Sequence, residues 1–436
     1  MSSYVTRKTP GDTEWFRQAR FGMFIHWGLY AMPARHEWVK CHERISEEKY
    51  DKYFQYFAPD LYEPRDWARR AKAAGMKYAV MTAKHHEGFC MFDTKYTDYS
   101  VMNTPAGRDL IKEYVDAFRA EGLKIGFYYS LIDWHHPQFT IDRFHPRRDD
   151  ADAEAQDAGR DMTVYAEYMR NQVTELLTNY GKIDILWFDF SYVDDENHPR
   201  WKKGKSKDDW ESEKLIALAR SLQPGILIDN RAGMEQDLWT PEQYQPQAWV
   251  RHEETGELVT WEVCQTLSGS WGYHRDEATW KSPEMLINTL VQTVSLGGNV
   301  LMNVGPTARG YLDDRAVDRL GVYEAWMKVN SRSIYGCTMA EPEFSAPNGC
   351  RLTQSADGKR LYVHLVEYPF AFLELHGFAG KVAYAQFLHD GSELLFTEKA
   401  VPHFSESRSE SEDLLVIHMP AVKPRVISPV VELLLK

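Results

Sequence analysis

The chain has 436 residues, of which 43% are hydrophobic and 26% charged, with a formal net charge of -13. That length predicts a large domain plus a small one. The acidity argues against nucleic acid as a partner, because a phosphate backbone calls for a basic surface. No run of 18 apolar residues is present, so no membrane span is expected. Cys41, Cys90, Cys264, Cys337 and Cys350 are odd in number and form no CxxC pair, so no disulfide framework or zinc knuckle is suggested. The first 15 residues lack the apolar stretch of a signal peptide, and with free thiols this predicts a cytoplasmic protein.

In chain order, one theme recurs: an amphipathic helix, a glycine stop, then an apolar strand. After a first strand at 23–26, residues 64–74 place Trp67, Ala71 and Ala74 on one helical face; Gly75 follows, then a strand at 77–83. Residues 108–121 repeat this with Leu110, Tyr114, Val115 and Phe118, then Gly122 and a strand at 124–130. Residues 161–180 lead through Gly181 to a strand at 183–188. Residues 211–222 lead through Pro224-Gly225 to 226–228. A strand at 259–264, a helix at 282–296, Gly297-Gly298 and a strand at 299–304 complete the series. Helical periodicity, C-cap glycine and short apolar strands predict an α/β fold with a parallel sheet. About seven strands fit a (β/α)8-like barrel with one irregular position. A doubly wound sheet is the alternative, but Gly28-Leu29-Tyr30 after the first strand is not a phosphate-binding turn.

From residue 344 the texture changes to short alternating runs at 360–366, 370–375, 382–387, 414–419 and 426–435, separated by turns such as Asp357-Gly358 and Asp390-Gly391. These predict a C-terminal β-sandwich over 344–436, behind a barrel over 1–343. Segment 194–212 is a charged insertion expected as a solvated loop at the barrel rim.

Barrel chemistry gathers at the C-terminal ends of strands. There stand His26-Trp27, Lys84-His85-His86-Glu87, Tyr128-Tyr129, Trp187-Phe188-Asp189 and Asp229-Asn230-Arg231, followed by Glu242 and Trp261-Glu262. Asp189 closes a strongly apolar run, and Trp187, two residues back, shares its face. A carboxylate beside an aromatic wall is what oxocarbenium-like chemistry needs. The 14 Trp, 24 Tyr and 20 Phe, many beside polar residues, suit a ligand with apolar faces and hydroxyls. The histidines, with Glu87, His135 and His136, pose a rival reading as a metal-dependent hydrolase, but the spacing of a helical zinc motif is absent.

At these residues the chain resembles the retaining α-L-fucosidases of glycoside hydrolase family 29. The matching stretches are WFRQARFGMFIHWGLYAMPARHEW at 15–38, AKHHEGFCMF at 83–92, GFYYSLIDW at 126–134, DILWFD at 184–189, TPEQYQP at 240–246, 261–273, and QTVSLGGNVLMNVGP at 292–306. FGMFIHWG, AKHHEGF and SLGGNxLxNxGP together are specific. The resemblance implies a barrel plus β-sandwich, no metal or other cofactor, and double displacement on a fucosylated oligosaccharide or glycoside. It implies Asp189 as nucleophile, and His26, Glu37, Trp38, His85, His86, Trp187 and Arg231 in the fucose pocket, with Tyr129 preferred over Tyr128. Glu242 is the expected acid/base, its pKa raised by burial, with Glu262 the alternative. One departure is Phe190-Ser191-Tyr192 after the nucleophile, where small or glycine residues are common. A fucose-binding protein without turnover is a further alternative, opposed by the presence of both carboxylates. Chains of this build often associate, so a homo-oligomer is compatible with the reading.

Overall fold

The computed structural model describes residues 3–398 and 413–436. Seven parallel strands form the first sheet: β1 Phe21–Ile25, β2 Tyr78–Lys84, β3 Lys124–Ser130, β4 Ile185–Asp189, β5 Leu227–Ile228, β6 Glu262–Thr266 and β7 Asn299–Val304. Their order is β5-β4-β3-β2-β1-β7-β6. Residues 238–242 run between β5 and β6, with parallel bridges Asp229 to Leu238, Trp239 to Trp261 and Glu242 to Cys264. This segment is the irregular position of a (β/α)8-like barrel, too short of ladder bonds to count as a strand.

Helices Pro64–Ala73, Leu110–Ala120, Met162–Thr178, Ser212–Leu222 and Pro283–Ser295 stand where the periodicity predicts them. Asp109, Asp161 and Ser282 cap three of these by accepting backbone N–H groups of the first turn. A further helix, Asp314–Asn330, was not expected from the pattern.

Alternate strand residues divide into two packed sets. Phe24, Val80, Tyr128, Ile185, Trp187, Leu227, Leu238, Cys264 and Leu301 fill the barrel interior. Met23, Met81, Phe127, Tyr129, Leu186, Phe188, Val263 and Met302 belong to the layer under the helices. The floor is tight: a Cβ on Gly22 would lie 2.3 Å from the Tyr78 ring, so a glycine is required there.

The remaining strands are antiparallel. β8 Cys337–Met339, β9 Cys350–Ser355, β10 Arg360–Leu365, β11 Phe372–His376, β12 Val382–Phe387, β13 Phe396–Thr397, β14 Leu414–His418 and β15 Val430–Leu435 form sheets β12-β15-β10-β9-β8 and β11-β14-β13. Their inner faces, with Leu361, Val363, Leu373, Ile417 and Leu433, make a separate core, as a sandwich requires. β8 places the start of this sheet ahead of the 343/344 division expected. Buried Arg20 ties the two units together, donating to the carbonyls of Cys337 at 2.8 Å and Gly297 at 2.6 Å. Trp326 adds a bond to Ile427 O at 2.8 Å.

The charged insertion is more than a solvated loop. Lys205 is buried in an ion pair with Asp142, which also accepts from Tyr192, and Trp210 is fully buried.

Candidate active site

Asp189 ends β4 with its side chain in the barrel mouth, 12% exposed. Two donors hold it. Tyr128 Oη donates to Oδ2 at 2.7 Å, and Arg231 Nη1 donates to Oδ1 at 2.9 Å. Burial and the Asp189 charge push the Tyr128 phenol well above its usual range, so it keeps the proton it donates.

Arg231 is itself tightly placed. Its guanidinium lies over the Trp187 ring, 4.5 Å from the centroid. Nε donates to Thr240 Oγ1 at 2.9 Å and Nη2 to Thr240 O at 3.0 Å. Nη1 reaches Glu242 Oε2 at 2.7 Å as well as Asp189. One nitrogen thus bonds an oxygen of each carboxylate. Those two oxygens lie no farther apart than the two bonds laid end to end.

Three histidines, His26, His85 and His86, also line the site. His26 Nδ1 lies 2.7 Å from Asn303 Oδ1, while Asn303 Nδ2 donates to Trp271 O at 2.6 Å. The amide oxygen must accept, so His26 carries its proton on Nδ1 and leaves Nε2 as an acceptor. His86 follows the same logic. Ser130 donates to Ile132 O at 2.7 Å, so its oxygen accepts from His86 Nδ1 at 2.6 Å. His86 Nε2 then stands 3.9 Å from Asp189 Oδ2. Burial pushes both imidazoles down to about 3 and lowers His85 as well, so all three are neutral near pH 7.

Glu37 Oε2 accepts the backbone N–H groups of Trp271 at 3.1 Å and Gly272 at 2.9 Å, which fixes Trp271 over the site. Burial pushes the Glu37 carboxyl up to about 7. Phe24, Trp38, Trp187 and Phe190 complete a pocket of about 50 Å³. Neutral hydroxyl acceptors, two carboxylates, one guanidinium and aromatic walls match a sugar ring.

A family model for α-L-fucosidase matches residues 2–332. The chain belongs to the α-L-fucosidase family. It is 30% identical to tissue α-L-fucosidase of Mus musculus over 350 residues, 74% of this chain and 71% of that one. It superposes on α-L-fucosidase isoenzyme 1 from Paenibacillus thiaminolyticus with a TM-score of 0.89 and 47% identity, covering 97% of this chain and 98% of that one. A trapped covalent intermediate of a Bacteroides thetaiotaomicron family 29 fucosidase, with 2-fluoro-fucosyl fluoride, matches with a TM-score of 0.80 and 26% identity over 99% and 98% of the two chains. This chain is accordingly a glycoside hydrolase that works with retention.

Among the fucosidase residues expected from sequence, His26, Glu37, Trp38, His85, His86, Trp187, Asp189, Arg231 and Glu242 come together around one pocket. Two do not. Tyr129, preferred over Tyr128, lies under the helices, where its hydroxyl donates to Gln172 Oε1 at 2.8 Å. Tyr128 pairs with Trp187 and Ser130 with Asp189 across β3 and β4, so the register turns Tyr128 inward. Glu262, the alternative acid/base, begins β6 and is buried in the barrel floor, where it accepts from Tyr78. It lies four residues, roughly 13 Å of strand, below Thr266, which is level with the pocket residue Asn303. Burial pushes its carboxyl up to about 8.

Glu242 differs in one respect from expectation: its side chain is 40% exposed and ion-paired, not buried. Trp271, Phe24, Asn303 and Ser130 were not anticipated. Asn303 lies in the SLGGNxLxNxGP motif, and that position was the available signal. His135 stacks on Tyr99 at 3.8 Å and His136 packs on Tyr168 at 4.4 Å, both away from the pocket. Among the described residues no group of three or more His, Cys, Asp or Glu side chains is placed to hold a metal ion.

Proposed function

We propose that this chain is an exo-acting α-L-fucosidase in which Asp189 is the nucleophile and Glu242 the general acid and base. The observation that carries the assignment is the pair of bonds from Arg231 Nη1 to Asp189 and Glu242. It brings one oxygen of each carboxylate to a single nitrogen, which supports the short carboxyl spacing that a double displacement needs.

A terminal fucose enters a pocket with room for one ring. Asp189 attacks the anomeric carbon while Glu242, protonated, gives its proton to the leaving oxygen. A fucosyl ester on Asp189 forms and the glycosidic C–O bond breaks. Glu242 then takes a proton from water, the water oxygen bonds the anomeric carbon, and Asp189 leaves as a carboxylate. Arg231 offsets negative charge at whichever carboxylate carries it in each half-reaction. His26 and His86 present Nε2 as acceptors for sugar hydroxyls, and the aromatic walls pack the C–H face and the methyl group. All five cysteines are free and buried, which supports a reducing, cytoplasmic setting.

The test is hydrolysis of p-nitrophenyl α-L-fucoside by the wild type and by Asp189→Ala and Glu242→Ala, each variant with azide. The expected products are fucosyl azide of inverted configuration from Asp189→Ala and of retained configuration from Glu242→Ala. Full activity in either folded variant would remove that residue from its role.

A further inference from the structure

The fucose pocket opens into a larger cleft of about 710 Å³. Glu37, Trp38, Phe190 and Trp271 border both spaces. Gln243, next to Glu242, also lines the cleft, which supports the cleft as the side where a leaving group stands.

Phe190 is held there against its backbone preference. Its φ is 87°, a region that a bulky residue occupies at a cost. The ring is kept in place by Trp38 at 5.2 Å, His86 at 5.3 Å and Phe144 at 5.0 Å. It stands at the border of pocket and cleft, where a sugar face can lie on it.

The charge of the cleft is the second observation. The chain carries a net charge of -13, yet the cleft is lined by two arginines, Arg143 and Arg148, beside His36 and His42, whose imidazoles burial pushes toward the neutral form. Glu37 is the lone carboxyl among its lining residues, and it is turned toward the amides of Trp271 and Gly272. Arg143 stacks on Phe144 at 5.1 Å and on Tyr192 at 4.8 Å. Its hydrogen bonds go to neutral carbonyls, those of Val193 and Lys203. The acid close enough to feel its charge, Asp194, is bonded to Lys203 at 2.7 Å and to the Gly204 N–H at 2.8 Å. Arg148 donates to Cys41 Sγ and His145 O, and Asp149, 3.8 Å away, is held more closely by Arg44 at 2.8 Å. An arginine stacked on two rings, bonded to carbonyls and short of an anion is positioned to bind one.

We propose that this cleft is a leaving-group subsite for an anionic sugar or aglycone, whose apolar face lies on Phe190 and Trp38 and whose carboxylate or sulfate is bonded by Arg143, with Arg148 adding charge. The proposal rests on the fucosidase reading and names the class of group that the enzyme releases from fucose.

Three aryl fucosides of matched size test it: p-carboxyphenyl, p-sulfophenyl and the neutral p-carbamoylphenyl α-L-fucoside, the sulfonate standing in for a sulfate. At low salt, kcat/KM for one acid should exceed that for the amide by about tenfold, the effect of one charge-assisted bond. The acid with the larger ratio identifies the anion. The ratio should fall toward one at high salt and in Arg143→Gln, and stay largely intact in Arg143→Lys. A general disturbance of the 190–205 segment would lower all three rates together and leave the ratio unchanged. Equal kcat/KM for the three substrates, or a ratio that survives Arg143→Gln, overturns the proposal. If the wild type cleaves none of them and not p-nitrophenyl α-L-fucoside either, the fucosidase reading fails, and the subsite falls with it.

Discussion

The Tyr128 hydroxyl donates to Asp189 Oδ2 at 2.7 Å from the neighbouring strand, while Tyr129, one residue on, points out to Gln172. The two tyrosines therefore serve different ends. Tyr128→Phe removes a donor to Asp189, and kcat/KM for an aryl fucoside should drop by roughly 10- to 100-fold, with a loss of stability at least as large as that of Tyr129→Phe. Tyr129→Phe should leave kcat/KM within about twofold and lower stability by about 1 kcal/mol, the net worth of one buried hydrogen bond. Kinetics of the two folded variants decide it; a larger loss of kcat/KM in Tyr129→Phe would reverse their assignment.

Glu242 and Glu262 can be separated by leaving-group dependence. A general acid matters most when the departing oxygen is a poor leaving group. Glu242→Gln should therefore lose more kcat/KM on a fucosyl disaccharide than on p-nitrophenyl α-L-fucoside, by about tenfold or more. Glu262→Gln should change both by the same small factor, because Glu262 lies in the barrel floor against Tyr78.

Glu262 should show itself in stability instead. Burial pushes its carboxyl up to about 8 in the folded chain, from an ordinary value of 4.5. A folded-state pKa above the unfolded one means stability is fully present below about pH 4.5 and is lost as pH rises toward 8. The loss attributable to this group is on the order of a few kcal/mol. Glu262→Gln, a neutral isostere that can still accept from Tyr78, should not share it. Melting both proteins at pH 5 and at pH 8.5 should show the variant gaining Tm relative to wild type at the higher pH. A constant difference between them would mean that Glu262 is ionised throughout.

Phe190, with φ at 87°, gives an inverted ranking of two small substitutions. Alanine at a position in that region keeps the backbone cost, and glycine does not. Phe190→Gly should be more stable than Phe190→Ala by about 1 kcal/mol, whereas in a helix or strand glycine would be the worse of the two. Chemical denaturation of the pair measures it directly. Both variants should raise KM for substrates with a sugar leaving group, because both remove the wall between pocket and cleft.

The sequence by itself determined the parts of this protein that depend on local periodicity. Helix faces repeat every 3.6 residues and strand faces every 2, so the barrel helices, its strands and the change to a sandwich were legible without long-range information. The Asp189–Trp187 pair was legible for the same reason, since two residues along one strand share a face. Motif order supplied the pocket histidines, Glu37, Trp38 and Arg231. The tertiary structure decided what depends on register between strands. β3 reads KIGFYYS, and its two tyrosines are alike in hydropathy, so only pairing with β4 could turn Tyr128 in and Tyr129 out. Level along the barrel axis separates Glu242, at the mouth on an irregular segment, from Glu262, in the floor. The outer cleft with its two arginines was invisible for the same reason: Arg143 and Arg148 meet the segment of His36 and His42 from a distant part of the chain, and a net charge of -13 says nothing of where positive charges lie. Backbone periodicity is written residue by residue, whereas register, depth and charge clustering arise when distant segments are packed together.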